Sequence, residues 1–216
     1  MNPLPARFEE RYHKFKSKPD YTAVHLDKKH LEKYAQDFVT IYNSAWAQHG
    51  EEKAITLPQI IKLFNSLKAV MDERVIWFAY YKQEPIAMFI NIPDVNQYFK
   101  YFNGNLGLWQ KLHLLWMKWT GQNNKLTGLA FGVVPKYQAL GIDSFLINSC
   151  HILLNKIKLY DEYEMGWAGD WNPKMVNIYK SLDANPSRRM VTFRYIFDAK
   201  SHPFERHPIM EYKTGG

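Results

Sequence analysis

Residues 132–147, GVVPKYQALGIDSFLI, constrain the fold more than any other stretch of this chain. An apolar run ends at Pro135, which has no N–H to give to a sheet ladder. Gln138, Ala139, Leu140 and Gly141 then form a turn with small residues at two places. An amphipathic run starts at Gly141, with Phe145, Leu146, Cys150, Leu153, Leu154 and Ile157 as its expected buried side. Strand, tight turn and helix in that order are one half of a crossover unit, which calls for a sheet with helices on its faces. Such a turn also gathers unpaired backbone N–H groups at the positive end of a helix, where anions bind. Neither of the common glycine-rich nucleotide fingerprints is present, and Q-x-x-G alone is a weak signal.

The rest of the chain supplies partners for that unit. YTAVHL (21–26) reads as a first strand, and Asp27 as the N-cap of a long helix. That helix carries Leu31, Tyr34, Ala35, Phe38, Ile41, Tyr42, Ala45 and Trp46 at helical spacing and ends at Gly50. TLPQ (56–59) has the form of a capping box and opens a second helix with Ile60, Leu63, Phe64 and Leu67 inward. VIWFAYY (75–81) and IAMFINI (86–92) read as a hairpin joined by KQEP. Within residues 97–124, Leu108, Trp109, Leu112, Leu115, Trp116 and Trp119 share one helical face. That face is expected to pack on the sheet; the alternative is a lid over a groove. His113 beside it reads as a structural histidine. LTGLAFGVV (126–134) and YEMGWA (163–168) read as strands, and NPKMVNIYKSL (172–182) as a helix. RRMVTFRYIFD (188–198) alternates and reads as a last strand. The predicted class is therefore α/β (α+β), with an early antiparallel sheet and late crossovers. Residues 1–20 read as a linker or short docking helix outside the core, 21–198 as the domain, and 199–216 as a tail.

Charge and cysteine content narrow the function. The net charge of +7 and pI near 9.3 favour anionic ligands. The basic residues are scattered and no nucleic-acid-binding signature appears, which disfavours DNA and RNA. Cys150 is the single cysteine, so neither an internal disulfide nor a thiolate metal cluster can form, and no metal is expected. A reducing cytoplasm suits this composition. No window reaches the ~18 apolar residues of a membrane span, so no membrane partner is expected. The first residues carry no signal-peptide core.

The quoted unit resembles the signature of the GNAT superfamily of acyl-CoA-dependent N-acyltransferases. Val133, Pro135, Tyr137, Gln138 and Gly141 match its V-x-P, aromatic and (Gln/Arg)-x-x-Gly sequence in order. Downstream, Asn172 and Tyr179 match a second motif, with Asp183-Ala184 in place of Gly-Phe. IYNSAWAQHG and NIPDVNQ look like one subgroup of GNAT-like proteins whose substrates are poorly defined. The resemblance covers about residues 21–198. It implies a mixed, centrally splayed sheet flanked by helices, with acetyl-CoA or another acyl-CoA as co-substrate. It also implies direct attack of a small-molecule amine on the thioester.

By the same resemblance, backbone groups of Val133 and Val134 would hold the pantetheine arm and the acyl carbonyl. The N–H groups of Gln138, Ala139, Leu140, Gly141, Ile142, Asp143 and Ser144 would hold the pyrophosphate. Tyr179 would be the general acid, Asn172 would bond the arm or cap its helix, and Glu164 is the candidate base. A homodimer, or a preceding domain of a longer chain, is compatible with relatives of this kind.

Asp143 departs from the pattern, which has Gly or Ala there. Two like charges ~4 Å apart repel by about 4 kcal/mol at an effective dielectric of ~20. A helix N-terminus attracts an anion by only about 0.3–1 kcal/mol. The direction of Asp143 therefore separates two classes: a working acyltransferase, and a catalytically inactive module of the same fold that binds a partner.

Overall fold

The computed structural model describes residues 3–46, 54–169 and 172–191, together with 193, 195 and 197. The chain divides into two compact units, Met1–Gly166 and Trp167–Gly216.

The first unit is built on a five-stranded open sheet in the order β1-β2-β3-β4-β5. The strands are β1 (Tyr21–His25), β2 (Ile76–Tyr81), β3 (Glu84–Pro93), β4 (Lys125–Val133) and β5 (Glu162–Glu164). Neighbours are antiparallel except β4 and β5, which run parallel. The β2–β3 hairpin is tighter than the sequence suggests. Lys82 and Gln83 alone make the turn, with φ of 47° and 70°. Two successive left-handed residues match the right-handed twist of the strands they join. Neither is the glycine or asparagine that usually announces such a turn.

Helices cover both faces, so β2 and the middle of β3 are buried on each side. On one face lie α2 (Leu31–Trp46) and α3 (Leu57–Leu67). Asp27 caps a short 3-10 turn, Lys28–His30, ahead of α2 by accepting from the Lys29 N–H. Thr56 and Gln59 form the capping box of α3. Tyr34 and Phe78 pack ring to ring across this interface. On the other face lie α1 (Ala6–Lys16) and α6 (Ile142–Ile157). The opening segment, expected outside the core, contributes the buried Phe8 and Phe15. Each such burial is worth roughly 1.5–3 kcal/mol. A chain of ring contacts runs Tyr12–Phe145–Phe15–Tyr21–Tyr81–Tyr137 and ties α1 to the turn before α6.

Two expectations are corrected. Between β3 and β4 come α4 (Asn96–Phe99) and α5 (Leu108–Trp119). The buried side of α5 is Leu114 and Met117, packed with Tyr98, Phe102 and Val70. The Leu–Trp stripe expected on the sheet is exposed instead. The reason is local: α4 and the chain after it offer α5 an apolar partner on its opposite side. The second correction concerns the last strand. In the second unit, α7 (Pro173–Ser181) is followed by residues 184–191 without regular structure. Val191, Phe193, Tyr195 and Phe197 are exposed and carry no strand assignment, and the residues between them lie outside those described. Alternation marks one face of a strand, but a strand also needs a neighbour to pair with. Gly50 and residues 199–216 also lie outside the described set. Among the described residues no helix is long and apolar enough to cross a membrane.

Candidate active site

β4 and β5 pair only from Lys125↔Glu162 to Thr127↔Glu164. β4 then runs on to Val133 with β3 as its one neighbour in the sheet. Beyond Gly128 no strand among the described residues pairs with the β5 side of β4, which is an open edge there. Gly128 marks the foot of the opening: a Cβ there would lie 2.7 Å from the Tyr163 hydroxyl and 3.4 Å from the Gly166 N. The Tyr163 hydroxyl reaches past it to donate to the buried Asn91 Oδ1 at 2.8 Å. Asn91 Nδ2 in turn donates to the Val75 carbonyl.

The ladder fixes which backbone groups face the opening. Val134 N–H donates to the Ile86 carbonyl of β3 at 2.9 Å, and the Val134 carbonyl accepts from Tyr137 N–H at 2.8 Å. Both Val134 groups are therefore engaged within the strand end and the turn. In an antiparallel pair, successive residues point their N–H and C=O to opposite sides. Val133, opposite Ala87, and Phe131, opposite Phe89, thus turn theirs to the open edge. The Val133 carbonyl accepts from Gln138 Nε2 at 3.0 Å, so Gln138 braces the turn against the strand end. Phe131 was missed from sequence because motif matching starts at Val133; only the register reveals it.

The turn rises from a short 3-10 segment, Pro135–Tyr137, into α6. Ala139 and Gly141 both have positive φ, 59° and 98°. At 98°, a β-carbon would be strained, which accounts for the glycine. Carbonyls account for the N–H groups of Tyr137 and Gln138 but, among the described residues, for none from Ala139 to Gly141. Those of Ile142, Asp143 and Ser144 belong to the first helical turn, which has no acceptor of its own. Leu140 is exposed at the tip. Asp143 is half-buried and heads the helical stripe of the buried Leu146, Ile147 and Cys150. It is thus on a core-facing stripe, in the first turn where a carboxylate favours the helix.

The turn carries no cation of its own beyond the exposed Lys136, and α1 supplies one. Arg11 lies across Gly141, its Cδ 3.1 Å from where a Cβ would stand, and its Nη1 donates to Ser144 Oγ at 3.3 Å. Arg11 is exposed, and its bond to Ser144 puts the guanidinium in the first turn of α6. Strand edge, N–H cluster and guanidinium together fit a ligand with an amide-bearing arm and a polyanionic head. The sequence could not reveal Arg11, which is 130 residues from Gly141 in a segment that reads as a linker.

The other expected residues have clear local roles. Glu164 sits at the foot of the opening with its Oε2 2.7 Å from Lys125 Nζ. That ion pair raises the Lys125 pKa. Register with Thr127 leaves Glu164 about 20 Å along β4 from Val133. In the second unit, Asn172 Oδ1 accepts from Met175 N–H at 3.2 Å and caps α7. Tyr179 is on α7, and burial pushes its hydroxyl pKa up. A groove of about 770 Å³ opens elsewhere, along α1 and the second half of α6, lined by Tyr12, His151 and Asn155 among others. It does not include the turn. No group of three or more His, Cys, Asp or Glu is placed to hold a metal among the described residues.

Solved structures share this architecture. A possible acetyltransferase from Clostridium difficile 630 matches over 82% of this chain and 98% of its own, with a TM-score of 0.50 at 16% identity. An aminoglycoside acetyltransferase from an uncultured soil metagenomic sample, in complex with sisomicin, matches over 83% and 97%, with a TM-score of 0.53 at 12% identity. The chain has the GNAT fold. The expected class, a mixed open sheet flanked by helices, is borne out at this level. Identities this low carry the GNAT architecture and not the activity.

No protein-family model matches the chain. Two curated proteins are similar in sequence. The bacterial ceramide synthase of Caulobacter vibrioides is 25% identical over 162 residues, 73% of this chain and 42% of that protein. Protein YghO of Escherichia coli K12 is 26% identical over 154 residues, 69% of this chain and 39% of that protein. This GNAT-fold chain therefore spans less than half the length of either relative.

Proposed function

We propose that this chain is an acyl-CoA-dependent N-acyltransferase unit that forms an amide on an amine acceptor. The observation that carries the reading is the open edge of β4 running into the Ala139–Ser144 turn, with Arg11 beside it. An extended amide-bearing arm can bond Phe131 and Val133 as an added strand would. Its pyrophosphate meets the N–H groups from Ala139 to Ser144 and the Arg11 guanidinium.

The acceptor amine, in its neutral form, attacks the thioester carbonyl. The carbonyl π pair moves to oxygen, and a backbone N–H on the open edge donates to that oxyanion. When the tetrahedral centre collapses, the C–S bond breaks and its electrons leave on sulfur. A general acid, the role that the motif resemblance gives to Tyr179, protonates the departing thiolate and regains its proton from solvent, and the ammonium proton of the new amide goes to water. A tyrosine whose pKa is raised keeps its proton throughout the neutral range and suits that role. Asn172 shapes the start of the Tyr179 helix as a cap.

The aminoglycoside acetyltransferase among the fold neighbours is named for acyl transfer, and the ceramide synthase among the sequence relatives is named for a product acylated on an amine. A ceramide is an N-acylated long-chain amino alcohol, which favours an apolar amine as acceptor and a long acyl chain on the donor. Residues 21–198, with α1 added for Arg11, form the working unit.

The test is release of CoA from acetyl-CoA and palmitoyl-CoA over a panel of amines that includes a sphingoid base, read with a thiol reagent. Cys150 does not interfere, because burial pushes its thiol up to about 12. Thermal shift with each donor is measured in parallel. A rise in Tm with at least one donor and amine-dependent release support the reading. A folded protein with no shift at millimolar concentration of either donor overturns it and leaves a binding module.

A further inference from the structure

Among the described residues the exposed stripe of α5 packs on no other helix or strand, and it is of unusual composition. Trp109, Trp116 and Trp119 are 78%, 51% and 85% exposed, and Leu108, Leu112 and Leu115 lie among them. Their spacing puts all six on one side, opposite Leu114 and Met117, which hold the helix to the domain. With ~150–250 Å² for each tryptophan, the patch exceeds the few hundred Å² that soluble monomers normally expose.

The charge around it is one-sided. Between Asp94 and Asp143 the sequence has no carboxylate, but it has Lys100, Lys111, Lys118, Lys125 and Lys136. Lys118 is committed to the domain, since its Nζ donates to the Ala69 carbonyl, and Lys125 is paired with Glu164. Lys100 and Lys111 are exposed; Lys111 borders the stripe beside Leu108 and Leu115, and Lys100 lies next to the exposed Tyr101.

We infer that α5 is a docking helix for the surface of an anionic lipid bilayer, lying in the interface with its Trp–Leu stripe at the boundary between headgroups and acyl chains and its lysines at the headgroups. The choice of lipid over protein rests on residue type. Protein interfaces enrich arginine and are depleted of lysine. This segment carries lysine alone, and its tryptophans are of the kind that gather at the membrane–water boundary. The missing carboxylates remove the repulsion that an anionic surface would otherwise meet. The expectation of no membrane partner followed from the lack of a spanning segment; a helix lying on the surface needs none. The inference stands apart from acyl transfer, and either can fail alone.

The experiment is co-sedimentation of the chain with phosphatidylcholine vesicles with and without 30% phosphatidylglycerol, at low and physiological salt. The expected result is at least tenfold tighter binding to the anionic vesicles, weakened by salt. Trp109→Ser combined with Trp119→Ser should weaken it at least tenfold with unchanged Tm, and Lys111→Gln about fivefold. Because a double variant can misfold, wild-type tryptophan quenching by lipids brominated near the headgroup and near the chain terminus is measured as well. Shallow bromines should quench and deep ones should not. Absence of binding to anionic vesicles overturns the inference. So does a lipid-free dimer that the double variant turns into monomer, which would assign the face to a second copy.

Discussion

Arg11 Nη1 donates to Ser144 Oγ at 3.3 Å, joining the first helix of the chain to the first turn of α6. The contact lays the Arg11 stem over Gly141 and holds its guanidinium at Ser144, in the first turn of the N–H cluster. Replacing Arg11 by alanine removes one part-buried hydrogen bond to the buried Ser144, so stability should fall by about 1–3 kcal/mol. It also removes the cation nearest the proposed pyrophosphate. A charged hydrogen bond is worth about 1.5–3 kcal/mol, so CoA affinity should fall roughly ten- to a hundredfold, read by calorimetric titration. Equal affinity in Arg11→Ala and wild type would remove Arg11 from the site.

Asp143→Asn tests the opposite charge. In the first turn of α6 the carboxylate interacts favourably with the helix end, and its loss should cost about 0.3–1 kcal/mol of stability. The same loss relieves repulsion of a bound polyanion, so CoA should bind the variant several-fold more tightly. Thermal denaturation and titration separate the two effects. Unchanged affinity would mean that the core-facing stripe keeps Asp143 clear of the ligand.

How far the sequence carried can be judged at particular residues. The strand–turn–helix at 132–147 was legible because Pro135, Gly141 and the apolar spacing each act locally. The hairpin was legible for the same reason, although Lys82 and Gln83 adopt left-handed φ without the usual residue types. α5 shows the limit. Helical spacing finds a stripe, but whether it faces core or solvent depends on what stands opposite, and Leu114 and Met117 won that place. Arg11 and Phe131 were hidden for a related reason. One is brought in by docking of a distant helix, and the other is defined by which side of a ladder its N–H takes.

Asp72 predicts an acid limit to stability. Its carboxylate accepts from Arg74 Nε, Nη2 and backbone N–H and from the Tyr160 hydroxyl at 2.7–3.0 Å. Burial alone would raise its pKa, but these donors outweigh burial and the pKa lies below the ordinary carboxylate value. A group with a lowered folded pKa contributes stability above its unfolded value, about 3.9, and loses it as pH falls through the folded value. Wild-type Tm should therefore show no contribution of Asp72 to pH dependence near neutrality and a fall below about pH 4. Asp72→Asn should lower Tm at pH 7 and flatten that acid fall. A variant with the same acid slope as wild type would assign the limb to other carboxylates.

Tyr163→Phe should destabilise the foot of the open edge. The hydroxyl is the donor to Asn91 Oδ1, and Asn91 is buried. Leaving that oxygen without its donor costs about 1–3 kcal/mol. For a chain of this size the fall in Tm is roughly 2–4 °C per kcal/mol. Gly128→Ala should act on the same bond from the other side, because its β-carbon would sit 2.7 Å from the Tyr163 hydroxyl. The two changes break one contact, so the double variant should be less unstable than the sum of the singles. Strict additivity would mean that Gly128 is required for another reason.

Tyr179→Phe separates catalysis from binding. The phenylalanine keeps the ring and its packing on α7 but has no proton to give. If Tyr179 protonates the leaving thiolate, kcat should fall about 10²–10⁴-fold, the usual contribution of a general acid. The Tm rise with acyl-CoA should remain, because the hydroxyl is not part of the N–H cluster that holds the polyanion. The pH profile adds a readout that packing alone would not move. Burial raises the Tyr179 pKa, so wild-type activity should persist past the ordinary tyrosine value of about 10 before declining as the proton is lost. In Tyr179→Phe that alkaline decline should vanish from the residual rate. A variant with wild-type kcat and an intact alkaline limb would take the proton transfer away from Tyr179 and hand it to solvent.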